Sequence, residues 1–102
     1  MKDHAYSKHW KSLEAQLRLA SKLLLQPNRF KITERELNDY STYIDNNEFE
    51  LGLDELTEIA LEFGCRSGFW RQIQKPAKQM GLEAKAAEYE RLFQQALRSE
   101  ED

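Results

Sequence analysis

The chain has 102 residues, of which 40% are hydrophobic and 32% are charged, with a formal net charge of −3. This length suits one domain with its own core, and two Trp, four Tyr and five Phe exclude a disordered tail. The single cysteine, Cys65, excludes an internal disulfide and favours a reducing compartment.

Neither a signal peptide nor a membrane span is predicted. Residues 1–9 are polar, and the most apolar stretch, 17–25, is interrupted by Arg18 and Lys22. We therefore expect a soluble cytoplasmic protein.

The first predicted helix covers residues 6–25 and ends at Pro27 and Asn28. Three basic residues on another face of this helix predict a solvated surface: Lys11, Arg18 and Lys22. Apolar residues at three- and four-residue steps define its core face: Trp10, Leu13, Leu17, Ala20 and Leu24.

The second predicted helix begins at Thr33, which forms a capping box with Glu36, and it turns Leu37, Tyr40 and Ile44 inward. The third follows residues 45–47, with Asn47 and Glu50 as its cap, and ends at Gly64 as a left-handed cap. Its predicted core stripe has six members: Phe49, Leu53, Leu56, Ile59, Ala60 and Phe63.

The fourth predicted helix starts at Ser67 as N-cap, is kinked or split by Pro76, and ends at Gly81. The fifth covers residues 82–98, with frayed ends predicted at 1–5 and 99–102. The inward residues expected on these helices are Phe69, Trp70, Ile73, Ala77 and Met80, then Leu82, Ala86, Tyr89, Phe93 and Leu97. The predicted fold is all-α, a single compact domain over 1–102 of about five antiparallel helices with short loops.

The charges are unevenly distributed along the chain. Residues 36–64 carry nine acidic and no basic side chains, whereas 1–35 sum to +5 and 65–102 to +1. Such a patch repels itself, so a binding role for a basic protein surface is a natural hypothesis. No basic residue is expected beside the acids of the third helix. The predicted partner-binding residues are Asp39, Tyr43, Asp54, Glu55, Glu58 and Glu62.

Catalytic chemistry is not predicted. His4 and His9 are poorly spaced for shared metal ligation and are expected to be exposed. Cys65 lies beside Arg66, which would lower its pKa, but no histidine is near it in the sequence. No glycine-rich phosphate loop or zinc spacing occurs, so we expect no enzyme, no metal and no cofactor.

The stretch Tyr40-x-x-Tyr-Ile-Asp-x-Asn-Glu-x-x-Leu-Gly-Leu-x-x-Leu, which ends at Leu56, resembles the MafI-like small helical immunity proteins of bacterial polymorphic and contact-dependent toxin systems. The resemblance extends over roughly 37–93, with Gly52 where an alanine is expected and Pro76 as a second departure. It implies a cytoplasmic inhibitor that binds a toxin domain and protects its own cell.

The charge pattern is compatible with that implication, because a nuclease toxin needs a basic cleft to hold its phosphate backbone. The expected partner is therefore a toxin domain with a basic surface, and neither nucleic acid nor a membrane is expected to bind directly. The alternatives are a helical adaptor or regulatory subunit that binds a basic peptide or partner helix, and more remotely a carboxylate-metal protein. The sequence predicts no oligomeric state.

Overall fold

The computed structural model describes residues 4–25 and 32–101, with the side chains of the first helix described from His9 onward. Five helices make up this part of the chain, and it contains no β-strand. They are α1 His4–Leu25, α2 Asn38–Asp45, α3 Phe49–Phe63, α4 Ser67–Gln79 and α5 Glu83–Glu101. The predicted all-α fold is confirmed. The predicted end of the first helix at Pro27 and Asn28 lies outside the described residues, as do residues 1–3 and 102.

The helices form two hairpins, α2–α3 and α4–α5, and α1 packs against both α3 and α4. The Cα radius of gyration is 13.8 Å, close to the ~13 Å of a compact domain of this length. Burial of the apolar stripes against one another therefore holds the five helices in one core.

The core follows the predicted stripes closely. Leu17, Leu53, Leu56 and Ile73 have no exposed surface. Most of the other predicted members are also buried, whereas some at the ends of the stripes are only half-buried: Trp10, Phe63, Met80, Leu82, Phe93 and Leu97. Tyr89 stacks on Trp70 with 5.9 Å between ring centroids, which ties α5 to α4.

The second helix begins later than predicted, at Asn38. Thr33 and Glu36 do interact, since the Thr33 backbone N–H donates to Glu36 Oε1 at 2.8 Å. The chain then forms tight turns, in which the N–H groups of Glu36, Leu37 and Asn38 bond to carbonyls only three residues back. The capping contact thus closes a turn that precedes α2 rather than starting the helix.

Asn47 ends α2 instead of capping α3. Its φ is 60°, and the Glu48 N–H donates to Tyr43 O at 2.8 Å while the Asn47 N–H donates to Ile44 O at 3.0 Å. This is a Schellman ending, in which asparagine tolerates the left-handed conformation. Helix α3 has no side-chain cap hydrogen bond, so the predicted Asn47–Glu50 cap is wrong.

Two further predicted helix ends differ in detail. Gly64 has φ 95° and ψ 158°, so it ends α3 in a glycine-only extended region rather than as a left-handed cap. Ser67 is the first residue of α4, and its backbone N–H and Oγ donate to the Glu100 carboxylate at 2.7 and 2.8 Å. The end of α5 therefore caps α4, and α5 continues past residue 99 to Glu101.

Helix α4 continues through Pro76 to Gln79, so the predicted split is wrong. Pro76 lies in the last turn, where it removes one backbone donor while its own carbonyl still accepts from the Met80 N–H at 3.0 Å. Gly81, at φ 75°, then ends the helix as predicted, with the Leu82 N–H donating to Ala77 O at 2.9 Å.

Candidate functional site

The α2–α3 hairpin brings acidic residues of two helices together because Gly52 allows a close approach. A Cβ placed on Gly52 would lie 2.8 Å from Ile44 Cδ1 and 3.7 Å from Tyr40 Cδ1. Ile44 and Tyr40 are both buried, so the contact between the helices is tight. The departure from the expected alanine therefore has a structural reason.

Three of the predicted residues form a carboxylate cluster, which we define as Asp39 of α2 with Glu55 and Glu58 of α3. Burial raises the pKa of Glu55, and the negative charges of Glu58 and then Asp39 raise it further. Asp39 and Glu58 are exposed, whereas Glu55 is half-buried. The charged form of Glu55 is thus disfavoured by both desolvation and repulsion.

Asp54 does not belong to this cluster. Lys85 of α5 donates to Asp54 Oδ1 at 2.5 Å and lies 3.4 Å from Glu50 Oε2. The hydrogen bond to Asp54 is the main cause of the raised pKa of Lys85. The expectation that no basic residue relieves the acids of the third helix is therefore wrong, because α5 packs a lysine against one side of α3.

Another acid of α2, Asp45, is paired with a cation from α1. Arg18, part of the predicted basic stripe, contacts Glu14 at 2.8 Å and Asp45 at 3.4 Å. Within residues 32–101 and the described part of α1, no ion pair involves Asp39, Glu55, Glu58 or Glu62. The described cations thus pair with Asp45, Asp54 and Glu50 and leave the carboxylate cluster without an ion pair.

Tyr43 and Glu62 are the two remaining predicted residues, and each lies one helical turn beyond a member of the carboxylate cluster. Tyr43 is half-buried on α2, one turn after Asp39, and Glu62 is exposed one turn after Glu58 on α3. Tyr43 is not part of the buried core. Five of the six predicted residues therefore share the surface of the hairpin, with Asp54 turned toward α5.

Two exposed leucines on α3 were missed by the sequence reasoning. Leu51 is 46% exposed and Leu61 is 60% exposed. Their signal is available in the sequence, since both fall off the stripe defined by Leu53, Leu56 and Ala60 and share the outer face with the acids. The outer face of α3 is therefore both acidic and apolar.

Other candidate groups do not form a reactive centre. Burial and the nearby Glu100 carboxylate raise the pKa of the Cys65 thiol to about 12, so the predicted lowering by Arg66 is wrong. His9 is half-buried rather than exposed, with its Nδ1 2.9 Å from Gln79 Nε2, and the side chain of His4 lies outside the described residues. Across the described residues, no three His, Cys, Asp or Glu side chains are grouped to hold a metal ion. In the same part of the chain, no helix has the length and apolar character needed to cross a bilayer.

Comparisons with known protein families, with characterised proteins and with solved structures found no match to this chain.

Proposed function

We propose that this protein is a non-catalytic inhibitor that binds a basic protein partner through the outer surface of the α2–α3 hairpin. The observation that carries the proposal is the carboxylate cluster of Asp39, Glu55 and Glu58, which no cation of the described chain neutralises. The carboxylates repel one another in the free protein, so a partner that brings positive charge to them relieves this repulsion and favours binding.

The partner we propose is a toxin domain, in particular a nuclease with a basic cleft. Helix-borne carboxylates attract such a cleft over a distance and speed association, and once bound they occupy the positions that phosphates would take. Tyr43, half-buried beside Asp39, is placed to act as an anchoring ring at the edge of this surface. The resemblance of residues 40–56 to helical immunity proteins supports the same assignment.

Binding should also change the protonation of Glu55. A cation placed near Glu55 favours its ionised form, whereas burial and its acidic neighbours now favour the neutral form. Complex formation should therefore release a proton when the pH is near the raised pKa of Glu55, and affinity should increase as the pH rises through that range.

The alternative function is a helical adaptor that binds a basic peptide or helix without blocking an activity. The exposed side chains of Leu51 and Leu61 favour the adaptor function, because they offer an apolar contact for a bound peptide. The two functions are separated by whether the bound partner loses an enzymatic activity.

The test begins with affinity purification from the native host and identification of the bound protein. Association kinetics are then measured at two salt concentrations for the parent protein and for Glu58→Lys. We expect the variant to associate about tenfold more slowly at low salt and to lose most of its salt dependence. Glu34→Lys is the matched control, since Glu34 is an exposed acid in the turn before α2 and outside the cluster. Unchanged kinetics for Glu55→Lys, Glu58→Lys and Glu62→Lys would remove the acidic surface from the mechanism.

A further inference from the structure

A pocket of about 390 Å³ lies between the second half of α1 and the start of α2. Its volume is within the range of sites that bind small molecules. Its walls come from α1, from the turn before α2 and from α2 itself, and none of them is formed by Asp39, Glu55 or Glu58 of the carboxylate cluster. We call it the α1–α2 pocket.

The observation that points to a ligand is the hydroxyl of Tyr40. Tyr40 lines the pocket and is 2% exposed, and its hydroxyl is buried without a hydrogen-bond partner among the described residues. Burial raises the pKa of this hydroxyl, while the Ser21 hydroxyl and the Arg18 guanidinium oppose the shift, so these two lining groups lie beside it. The Ser21 hydroxyl donates its own hydrogen to Arg18 O at 2.7 Å and does not reach hydrogen-bond geometry with Tyr40. A buried donor without a partner costs free energy, so an acceptor oxygen in this pocket would be stabilised.

The charged side chains of the pocket indicate what else such a ligand carries. Arg18 is paired with Glu14 at 2.8 Å and with Asp45 at 3.4 Å, so its charge is compensated within the protein. These two acids also raise the pKa of the buried hydroxyl, so they lie near it. Lys22 and Glu34 line the pocket and are exposed, and neither forms an ion pair within the described residues. The walls therefore offer one available cation and one available anion.

Three further charged residues adjoin the pocket in the sequence without lining it. Glu36 accepts from the Thr33 backbone N–H at 2.8 Å, and the charge of Arg35 acts on Glu36. Asp39 acts on Glu55 of α3. The charge balance of the walls is thus set by the lining residues alone.

The remaining wall is apolar or uncharged. Leu37 is buried and Leu25 is half-buried, and together they form an apolar side. Asn38 and Ser41 add polar groups without charge. A ligand of mixed character, with a charged end and an apolar end, fits these walls better than a uniformly charged one.

We propose that the α1–α2 pocket binds a small zwitterion, namely a free amino acid with an apolar side chain. Its carboxylate accepts from the Tyr40 hydroxyl and the Lys22 ammonium, its ammonium pairs with Glu34, and its side chain packs on the two leucines of the wall. Because the hydroxyl is buried, the carboxylate reaches it as the Arg18 side chain moves aside, and the two ion pairs of that side chain are partly exposed and therefore weak. This inference goes beyond the proposed function and does not rest on it.

The test titrates the full chain with L-leucine and two of its derivatives, at about pH 6, where α-amino groups are protonated. N-acetyl-L-leucine lacks the ammonium group, and L-leucinamide lacks the carboxylate. Binding is followed by the backbone amide chemical shifts. We expect L-leucine to shift the amides of Ser21, Asn38 and Ser41 and to bind about tenfold more tightly than either derivative, because each derivative loses one charged contact.

Tyr40→Phe removes the hydroxyl and keeps the ring. It should reduce the affinity for L-leucine about tenfold, whereas the melting temperature should stay the same or rise, because no hydrogen bond of the described chain is lost. Tyr89→Phe is the matched control, since Tyr89 is also 2% exposed but its hydroxyl lies 2.8 Å from Thr57 Oγ1 and outside the pocket. This control should lower the melting temperature and leave the affinity unchanged.

Two further variants locate the charges of the ligand. Lys22→Gln should abolish the preference for L-leucine over L-leucinamide, because the carboxylate loses its cation. Glu34→Gln should abolish the preference for L-leucine over N-acetyl-L-leucine, because the ammonium loses its anion. Each variant should keep most of the other preference.

Each other outcome contradicts a specific claim. The absence of shifts at up to about 10 mM L-leucine overturns the amino-acid site. A melting temperature lowered by Tyr40→Phe as much as by Tyr89→Phe overturns the unpartnered hydroxyl. Equal binding of L-leucine and N-acetyl-L-leucine assigns the pocket to a simple carboxylate and overturns the zwitterion. Partner association is measured apart from these titrations, and Glu34→Lys should weaken L-leucine binding while leaving that association unchanged, so the two proposals fail separately.

Discussion

Asp54 and Glu55 are neighbours in the sequence, yet their carboxylates have opposite environments. Successive residues on a helix point about 100° apart, so Asp54 reaches Lys85 on α5 while Glu55 turns toward Asp39 on α2. Asp54 has a cation at hydrogen-bond distance, whereas Glu55 has two like charges and is half-buried. Within the carboxylate cluster, Glu55 is therefore the residue whose charged form is opposed by both burial and neighbouring charges.

The first prediction concerns the pH dependence of stability at Glu55. Because the folded-state pKa of Glu55 is raised, the folded protein binds the proton more tightly than the unfolded chain does. Stability is therefore lost as the pH rises from the ordinary carboxyl pKa through the raised value. Glu55→Gln should melt at a higher temperature than the parent at pH 7, and the difference should disappear near pH 3, where the parent is protonated.

Glu90 provides a control, because its effect on stability should change with pH in the opposite direction to that of Glu55. Hydrogen bonds from Gln94, Gln74 and Arg71 lower the pKa of Glu90 to about 2. Ionised Glu90 therefore stabilises the folded protein above the ordinary carboxyl pKa, and this stabilisation is lost as the pH falls toward 2. Glu90→Gln should therefore be less stable than the parent at pH 7, with the gap closing in acid. If the difference in melting temperature between Glu55→Gln and the parent is the same at pH 3 and pH 7, the raised pKa of Glu55 is contradicted.

At the scale of helices, the interiors were predictable and many of the ends were not. The stripes of α1 and α3 follow from apolar spacing, because burial of those side chains dominates the energy of a helix in a small domain. Helix ends depend on one or two hydrogen bonds, and the partner can be distant in the sequence. Glu100, which caps α4 at Ser67, is such a partner, and no local pattern indicates it.

The approach of α2 to α3 can be tested at Gly52. Glycine inside a helix costs about 1 kcal/mol relative to alanine, but the added Cβ would lie 2.8 Å from Ile44 Cδ1, which is buried. Overpacking of this kind costs roughly 1–3 kcal/mol. We expect Gly52→Ala to lower the free energy of unfolding by about 1 kcal/mol in urea denaturation.

A double-mutant cycle shows whether Ile44 is the cause. Ile44→Val removes Cδ1 and alone should cost about 1 kcal/mol. The double variant should be at least ~1 kcal/mol more stable than the sum of the single effects, because the clash is absent when valine is present. Additive effects would mean that the two helices accommodate the alanine by another movement.

For the whole molecule, the charge pattern of the sequence predicts where the acidic surface lies, but it does not predict which of the acids are paired with cations. The acidic segment 36–64 was apparent from composition, and five of its six predicted site residues lie on the hairpin surface. The pairing of Lys85 with Asp54 was not predictable, since it depends on the way α5 packs against α3. The exposure of Leu51 and Leu61, by contrast, could be predicted from the sequence, because both fall off the core stripe of α3.

The last prediction separates Asp54 from Glu58 by stability alone. Glu58→Lys places a cation among Asp39, Glu55 and Glu62, so the free energy of unfolding should be unchanged or higher by a few tenths of a kcal/mol. Asp54→Lys breaks the contact with Lys85 and sets two ammonium groups side by side, so it should cost about 1 kcal/mol. Urea denaturation of both variants at low salt measures the difference, and repetition in about 1 M salt should reduce it, because exposed charges are then screened. Equal stabilities at low salt would mean that Lys85 does not neutralise Asp54 in solution, and the uncompensated surface would then extend across α3 to α5.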